Sequence, residues 1–337
     1  MRTLQTYDEL FQKLTTIGIE KTLVKRLLPP YYKKSNEQSA ILQTASFLAD
    51  IFSLDLKSLL LVDRDAEFII PQVKYKHRNV TNEKDLQPST AVIIAIIKKI
   101  VYMLINKQNH MPADGIEIRN EILNDKPYVD FYSLIDYCWK IGIPVIFIES
   151  FPKTLKKMQG MSLYINERPV IVLTKHKGKS SWYNFTLAHE LGHILKKHVN
   201  KAVEVIFDEN ISGLDLYNGT DKIEIEANHT AKEILTGNPL TAFRSSGNSP
   251  IKPDILADVA RKLSKDYKID PGFIILNYAW NMTTHNSNHY SIAETALGII
   301  KDRDIDIDYL NKKLKDNINL ENLPEESIEY IKKFISI

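Results

Sequence analysis

The sequence has one cysteine, Cys138, among its 337 residues. One cysteine cannot form an internal disulfide, so the composition favours a reducing compartment such as the cytoplasm. Cys138 lies in an apolar helical pattern, which favours a small buried side chain over a nucleophile. The first residues lack the apolar core of a signal peptide, so no export signal is predicted.

The chain also lacks an excess of either charge. It has 44 Lys and Arg against 42 Asp and Glu, which leaves a net charge of +2. This balance gives no support for a broad basic face that binds DNA or a membrane surface. The most apolar run, residues 91–105, is too short to span a bilayer and is interrupted by Lys98 and Lys99. We predict a buried core helix there, in a protein that does not associate with membranes.

A helical metal-binding pattern is what the chain does contain. His189 and His193 are four residues apart, about 40° around a helix axis, so both side chains can bind one Zn²⁺. Glu190 follows the first histidine, where it can act as the general base on metal-bound water. The neighbouring apolar residues predict that this helix is buried in a core. The H-E-x-x-H pattern therefore predicts a catalytic zinc site.

A catalytic zinc needs a third protein ligand. His198 lies about 180° from His189 on an unbroken helix, so we exclude it as a ligand. A second helix predicted at 221–235 offers carboxylates instead. Glu226 is the predicted ligand, because an acid in a first helical turn, such as Glu224, is usually a cap. Glu224 and His229 remain alternatives.

Hydrophobic periodicity predicts the rest of the fold. We expect an α+β fold that is mostly helical, with a small mixed or antiparallel sheet beside the H-E-x-x-H helix and the Glu-bearing helix. The predicted helices lie at 7–16, 20–28, 35–52, 56–61, 88–107, 115–123, 131–139, 221–235, 255–263 and 271–278. The predicted strands lie at 67–71, 142–148, 161–165 and 169–174. Ser180 and Ser181 are the predicted cap of the metal-binding helix.

Several sequence blocks together resemble the ImmA/IrrE-type metallopeptidases. They are the strand at 168–173, the block from Phe185 to His198, and Glu224-Ile-Glu226-Ala-Asn228. The run after the last block departs from the family pattern, with Thr236-Gly237 where Met-Pro is expected. The resemblance covers about residues 115–280 and implies a gluzincin-like zinc peptidase with His189, His193 and Glu226 as ligands.

The predicted domain organisation follows from these blocks. We expect a helical N-terminal region at 1–112, a zinc metallopeptidase core at 113–245 and a helical C-terminal region at 246–337. The paired helices at 253–280 are a candidate helix-turn-helix that could dock on DNA or on a repressor. The more favoured interpretation is that this pair packs against the core.

The resemblance also implies the substrate. Known family members cleave or inactivate helix-turn-helix repressors, so we expect a protein substrate of that kind, or an antitoxin-like partner, in a stress-response, mobile-element or defence circuit. The alternative is a regulator that uses the peptidase fold for binding without cleavage. The candidate transition-state or outer-shell residues are His198, His229, Asn228, Tyr164 and Tyr183.

Overall fold

A computed structural model provides the structure of the chain. It describes residues 2–32, 34–76, 82–105, 111–174, 178–201, 204–208, 221–246, 250–283 and 288–337. The α-helices are α1 Tyr7–Thr16, α2 Lys21–Leu27, α3 Gln38–Ile51, α4 Leu56–Leu60, α5 Glu83–Met103, α6 Gly115–Leu123, α7 Phe131–Lys140, α8 Ser180–Leu195, α9 Lys222–Thr236, α10 Pro253–Tyr267, α11 Pro271–Met282, α12 Tyr290–Ile299, α13 Ile307–Lys315 and α14 Glu325–Lys332. The strands are β1 Val73–Lys76, β2 Val145–Ile148, β3 Gly160–Ile165, β4 Arg168–Thr174 and β5 Val205–Asp208. The predicted mostly helical α+β fold is confirmed.

The five strands form one mixed sheet in the order β1-β5-β3-β4-β2. β3 and β4 form the predicted hairpin, whose turn residues Asn166 and Glu167 both have positive φ. A two-residue turn of this kind matches the right-handed twist of the flanking strands. β5 pairs antiparallel with β3, and β1 pairs parallel with β5. The hairpin therefore occupies the centre of the sheet, against α8.

Helices α8 and α9 pack unusually closely because Gly192 faces the backbone of Ala227. A Cβ atom at Gly192 would lie 2.8 Å from the Ala227 carbonyl oxygen. Only a residue without a side chain permits this approach. The contact brings the H-E-x-x-H helix against the helix that carries the candidate carboxylates.

The C-terminal end of α9 is fixed by a buried arginine. Arg119 on α6 donates hydrogen bonds to the carbonyl oxygens of Leu235, at the end of α9, and of Tyr267 and Lys268, at the end of α10. Carbonyl groups in the last turn of a helix have no intrahelical partner and favour a positive charge. One guanidinium group thus joins the α9 and α10 ends.

The apolar run predicted as a core helix lies in α5. This helix is long and apolar enough to cross a membrane by length and composition, but 72% of its most apolar window is buried in the protein. Lys98 is exposed, whereas Lys99 is half-buried and forms an ion pair of 2.6 Å with Asp50. This burial is that of a core helix, as predicted.

The paired helices of the candidate helix-turn-helix are α10 and α11. α11 is buried from Gly272 to Trp280. A Cβ atom at Gly272 would meet the Ser181 side chain at the start of α8, and Trp280 packs on Phe185 of α8 with ring centroids 4.7 Å apart. The second helix of the pair therefore packs on the metal-site helix.

Three local predictions were wrong. Residues 67–71 contribute only an isolated bridge between Leu54 and Phe68, and the strand lies later, at β1. The predicted strands did not include β5. Ser180 and Ser181 are not the cap of α8, because Lys179 precedes the helix and the Asp302 carboxylate accepts from Ser180 Oγ and Ser181 N instead. Residues 175–177 and 209–220, for which the sequence predicts no helix or strand, lie outside the described residues.

One hydrophobic core includes residues from all three predicted regions, among them Leu10, Phe147 and Tyr330. The division at 112 and 245 stays a prediction.

Candidate metal centre

Two histidines and one glutamate come together where α8 packs on α9. Nε2 of His189 and Nε2 of His193 lie 3.0 Å apart. The Glu224 carboxylate lies 3.5 Å from each of these nitrogens. All three residues are buried, and within the described part of the chain they are the group of His, Cys, Asp or Glu side chains close enough to hold a metal ion.

The spacing of this triangle suits a tetrahedral ion. Ligand atoms at the usual zinc distances of about 2.0–2.2 Å, arranged tetrahedrally, lie roughly 3.3–3.6 Å apart. The observed separations of 3.0 and 3.5 Å are close to that value. Two imidazole nitrogens and one carboxylate oxygen are also ligands typical of catalytic zinc. The residues present therefore fit a metal ion of this kind.

Asn228 orients the first histidine. Its Oδ1 atom lies 2.9 Å from Nδ1 of His189, one turn along α9 from Glu224. An amide oxygen only accepts, so the Nδ1 atom carries the proton and Nε2 keeps its lone pair for a metal. Asn228 is buried, which holds this arrangement away from water.

The prediction that Glu226 is the third ligand is corrected by the geometry. The Glu226 side chain is 56% exposed and accepts from Nε2 of His198 at 2.9 Å. The other ring nitrogen of His198, Nδ1, lies 3.0 Å from Nδ1 of His193. Glu226 is therefore hydrogen-bonded to His198, and His198 in turn lies against Nδ1 of His193. The carboxylate beside the histidines belongs to Glu224, the alternative that the sequence left open.

For both His198 and Glu226, charge and burial shift the pKa in opposite directions. The hydrogen bond from His198 lowers the pKa of Glu226. Burial lowers the pKa of His198, and the Glu226 carboxylate opposes that effect. The pair supplies His193 with a partner at Nδ1, so its Nε2 atom is directed at the metal position.

Glu190 lies beneath β3. The Oγ atom of Ser162 is 2.5 Å from Oε2 of Glu190 and 2.9 Å from its backbone carbonyl oxygen. A Cβ atom at Gly160 would lie 2.1 Å from Oε1 of Glu190, so the carboxylate occupies space that a side chain would otherwise fill. Glu190 is fully buried and is held against this strand next to both histidines.

The remaining candidates lie in three different places. Tyr183 is buried in the core between Phe131 and Phe147. Tyr164 is half-buried and lines a cavity of about 490 Å³ with Ile194 at the end of α8. His229 is half-buried on α9, outside the metal group. That any of these residues, or His198, stabilises a transition state stays a prediction.

A family model matches the part of the chain that contains these elements. Residues 138–246 match the IrrE N-terminal-like domain of the peptidase M78 family. This segment of the chain is therefore similar to an IrrE N-terminal-like domain. The match includes β2 to β5, α8 and α9, and it confirms the predicted resemblance for this segment. The M78 family supports a metal-dependent peptidase at the level of the family.

Sequence reasoning missed two residues of the IrrE-like segment that lie against Glu190. Gly160 and Ser162 are two residues apart on β3, so they face the same side of the strand. The available signal was a small residue at both positions of the first strand of the hairpin that precedes α8. Small side chains on the inner face of a buried strand indicate that another group approaches closely.

Proposed function

We propose that this protein is a zinc-dependent endopeptidase of the cytoplasm. The observation that carries the proposal is the buried triangle of His189, His193 and Glu224 beside the buried Glu190 carboxylate. The M78 match over residues 138–246 supports the same reaction class. The proposed substrate is a helix-turn-helix repressor or antitoxin-like protein in a stress-response, mobile-element or defence circuit, as the family resemblance implies.

Each residue of the site has its own role in the proposed peptide hydrolysis. A zinc ion held by His189, His193 and Glu224 would supply an acidified water molecule and polarise the scissile carbonyl group. Glu190 accepts the proton of the attacking water and donates it to the leaving amine. Ser162 holds one oxygen of that carboxylate. Asn228 and His198 fix the ring orientations of the two histidines.

The decisive experiment compares wild type with Glu190→Gln. Both proteins should bind zinc, because Glu190 is not in the metal triangle, but only wild type should hydrolyse a candidate repressor or an unfolded protein. The matched control is Glu329→Gln, which changes an exposed carboxylate with a 59% accessible side chain. Hydrolysis by Glu190→Gln at the wild-type rate would contradict the proposed mechanism.

A second candidate is a regulator that binds its partner without cutting it. The observation that favours it is the continuous core that joins the IrrE-like segment to helices on both sides. Such a regulator would retain the repressor as an intact complex in wild type and in Glu190→Gln alike. Mass spectrometry of the repressor after incubation distinguishes the two functions, since only an endopeptidase produces two fragments.

A further inference from the structure

A substrate must approach Glu190 from one side of β3. Proton transfer requires that the reacting group come within about 2.6–3.2 Å of the carboxylate or one water molecule away. The Glu190 carboxylate contacts β3 at Ser162 and occupies the space next to Gly160. Neighbouring strands lie about 4.7–4.9 Å apart. An extended polypeptide that pairs with β3 would occupy the strand position directly beside it, close to Glu190.

One side of β3 is taken by β4 of the hairpin. The other side is taken by β5. Its register places Asp208 opposite Gly160, Ile206 opposite Ser162 and Val205 opposite Leu163. The residues of β3 that contact Glu190 are thus the same residues that pair with β5. The backbone groups of β3 that a substrate strand needs are bonded to the chain itself.

β5 is in turn held by β1. Val73 to Lys76 pair in parallel with Val205 to Asp208, and the carbonyl oxygen of Gln72 accepts from the backbone nitrogens of Glu204 and Val205. The ring of Tyr75 packs on that of Phe207 with centroids 5.6 Å apart.

An ion pair also joins β1 to the start of α9, the helix that carries Glu224. Nζ of Lys74 lies 3.0 Å from the carboxylate of Asp221, the residue that caps α9 two residues before Ile223. β1 belongs to the part of the chain outside the IrrE-like segment at 138–246. β1, a segment of the N-terminal region, thus holds β5 in place beside β3.

We propose that β5 competes with the substrate for the edge of β3 and that β1 acts as a clamp that holds β5 in place. The free edge of β3 is then the docking site for an extended polypeptide, which pairs antiparallel with residues 160–163 after β5 has left. This inference rests on the proposed endopeptidase function and adds its regulation. Events that pull β1 away, such as binding of a partner to residues 1–112, would activate cleavage.

A disulfide lock tests the competition directly. Leu163 and Val205 are opposite each other and both are fully buried, so Leu163→Cys/Val205→Cys can join β3 to β5. Leu163 is also opposite Val170 on β4, and Leu163→Cys/Val170→Cys is the matched control that joins β3 to a strand that need not move. Each variant is compared with itself in the oxidised and the reduced state.

The probe is a peptide hydroxamate, whose hydroxamate binds zinc and whose extended peptide needs the β3 edge. Calorimetry on zinc-loaded protein should show at least about tenfold weaker binding, roughly 1.4 kcal/mol, when the 163–205 pair is oxidised. The control pair should show no difference between its two states. Acetohydroxamate, which lacks the peptide, should bind all forms alike and so report an intact metal site. Equal peptide binding in both states of the 163–205 pair would overturn the proposal.

A second variant tests the clamp without a disulfide. Tyr75→Ala removes the ring that packs on Phe207 and should strengthen binding of the peptide hydroxamate several-fold. Tyr267→Ala, which truncates an exposed tyrosine at the end of α10, is the control and should leave binding unchanged. Unchanged binding in Tyr75→Ala would contradict the role of β1.

The two proposals fail in different ways. If the lock abolishes peptide binding but the reduced protein cleaves no polypeptide, the competition stands and the endopeptidase function fails. If the reduced and locked proteins cleave and bind equally well, the endopeptidase function stands and the competition fails.

Discussion

Oε2 of Glu226 lies 2.9 Å from Nε2 of His198, and this contact places Glu226 outside the metal triangle. The two glutamates of the same helical turn therefore have different roles. Glu224 faces the histidines of α8, whereas Glu226 faces the residue behind one of them. Because they lie about 200° apart around α9, they cannot exchange these roles without turning the helix.

Metal analysis of Glu224→Gln and Glu226→Gln should separate the two residues. Glu224→Gln removes a ligand charge, so we expect zinc affinity to fall by more than the roughly 10–100-fold typical of an outer-shell change. Glu226→Gln should fall within that range, since His193 keeps His198 as its neighbour. Competition with a zinc chelator measures both affinities. Equal losses in the two variants would contradict the assignment of Glu224.

Ser162→Ala should slow hydrolysis without loss of metal. The hydroxyl group lies 2.5 Å from the Glu190 carboxylate, and Ser162 is not one of the residues of the metal triangle. We expect kcat to fall about 10–100-fold, as for other residues that orient a catalytic group, while zinc content stays at the wild-type level. The control is Ser89→Ala, which removes a buried hydroxyl on α5. A wild-type kcat in Ser162→Ala would show that Glu190 does not need this hydrogen bond.

Gly192→Ala should push α9 away from α8. The new Cβ atom would lie 2.8 Å from the carbonyl oxygen of Ala227, and a helix backbone cannot yield as a flexible side chain can. We expect a loss of about 1–3 kcal/mol in the free energy of unfolding and weaker zinc binding, because Glu224 moves with α9. Gly298→Ala is the control, since its Cβ atom meets nothing within 4 Å. Urea unfolding and chelator competition measure the two effects.

The stability of the protein should fall as pH rises from about 4 to about 7, because of Asp270. Burial, with a smaller effect of the Asp302 carboxylate, raises the pKa of Asp270 to about 7. Between pH of about 4 and about 7 the folded protein keeps a proton that the unfolded chain releases, so the free energy of unfolding decreases as pH rises.

Asp270→Asn removes this titration while keeping an oxygen that accepts from the backbone nitrogen of Gly272. We expect the variant to exceed wild type by on the order of 2–4 kcal/mol at pH 8 and to show no advantage at pH 4. Urea unfolding at both pH values checks this. Asp254→Asn, at an exposed residue of α10, is the control and should follow the wild-type profile. A constant difference at both pH values would exclude the titration of Asp270 as the cause.

The metal-site helix was predictable because its ligands lie within a few residues of one another and share a face. The third ligand was not, because the choice depends on which face of α9 meets α8. The buried residues Glu224, Ala227, Asn228 and Ala231 show the i, i+3, i+4, i+7 spacing of a buried stripe. The sequence contains this stripe. The prediction nevertheless favoured Glu226, because an acid in a first helical turn, such as Glu224, is usually a cap.

β5 was missed for a different reason. Four residues give too short a pattern to separate a strand from an apolar loop segment, and its partners are distant in sequence. Its pairing with β1 joins residues more than 130 positions apart, which local periodicity cannot reveal. The helix-helix contact at Gly192 is equally hidden, because a glycine within a helix predicts flexibility unless its neighbour is known.

The hydrogen bonds of Arg119 have a consequence for how the chain can be divided. A fragment that ends at residue 245 retains the guanidinium group and its bonds to α9, but it loses the acceptors at Tyr267 and Lys268. A buried cation without its full set of acceptors destabilises the helix end that it served. We therefore expect a stable unit that holds the metal triangle to extend through α10, well beyond the segment that matches the family model.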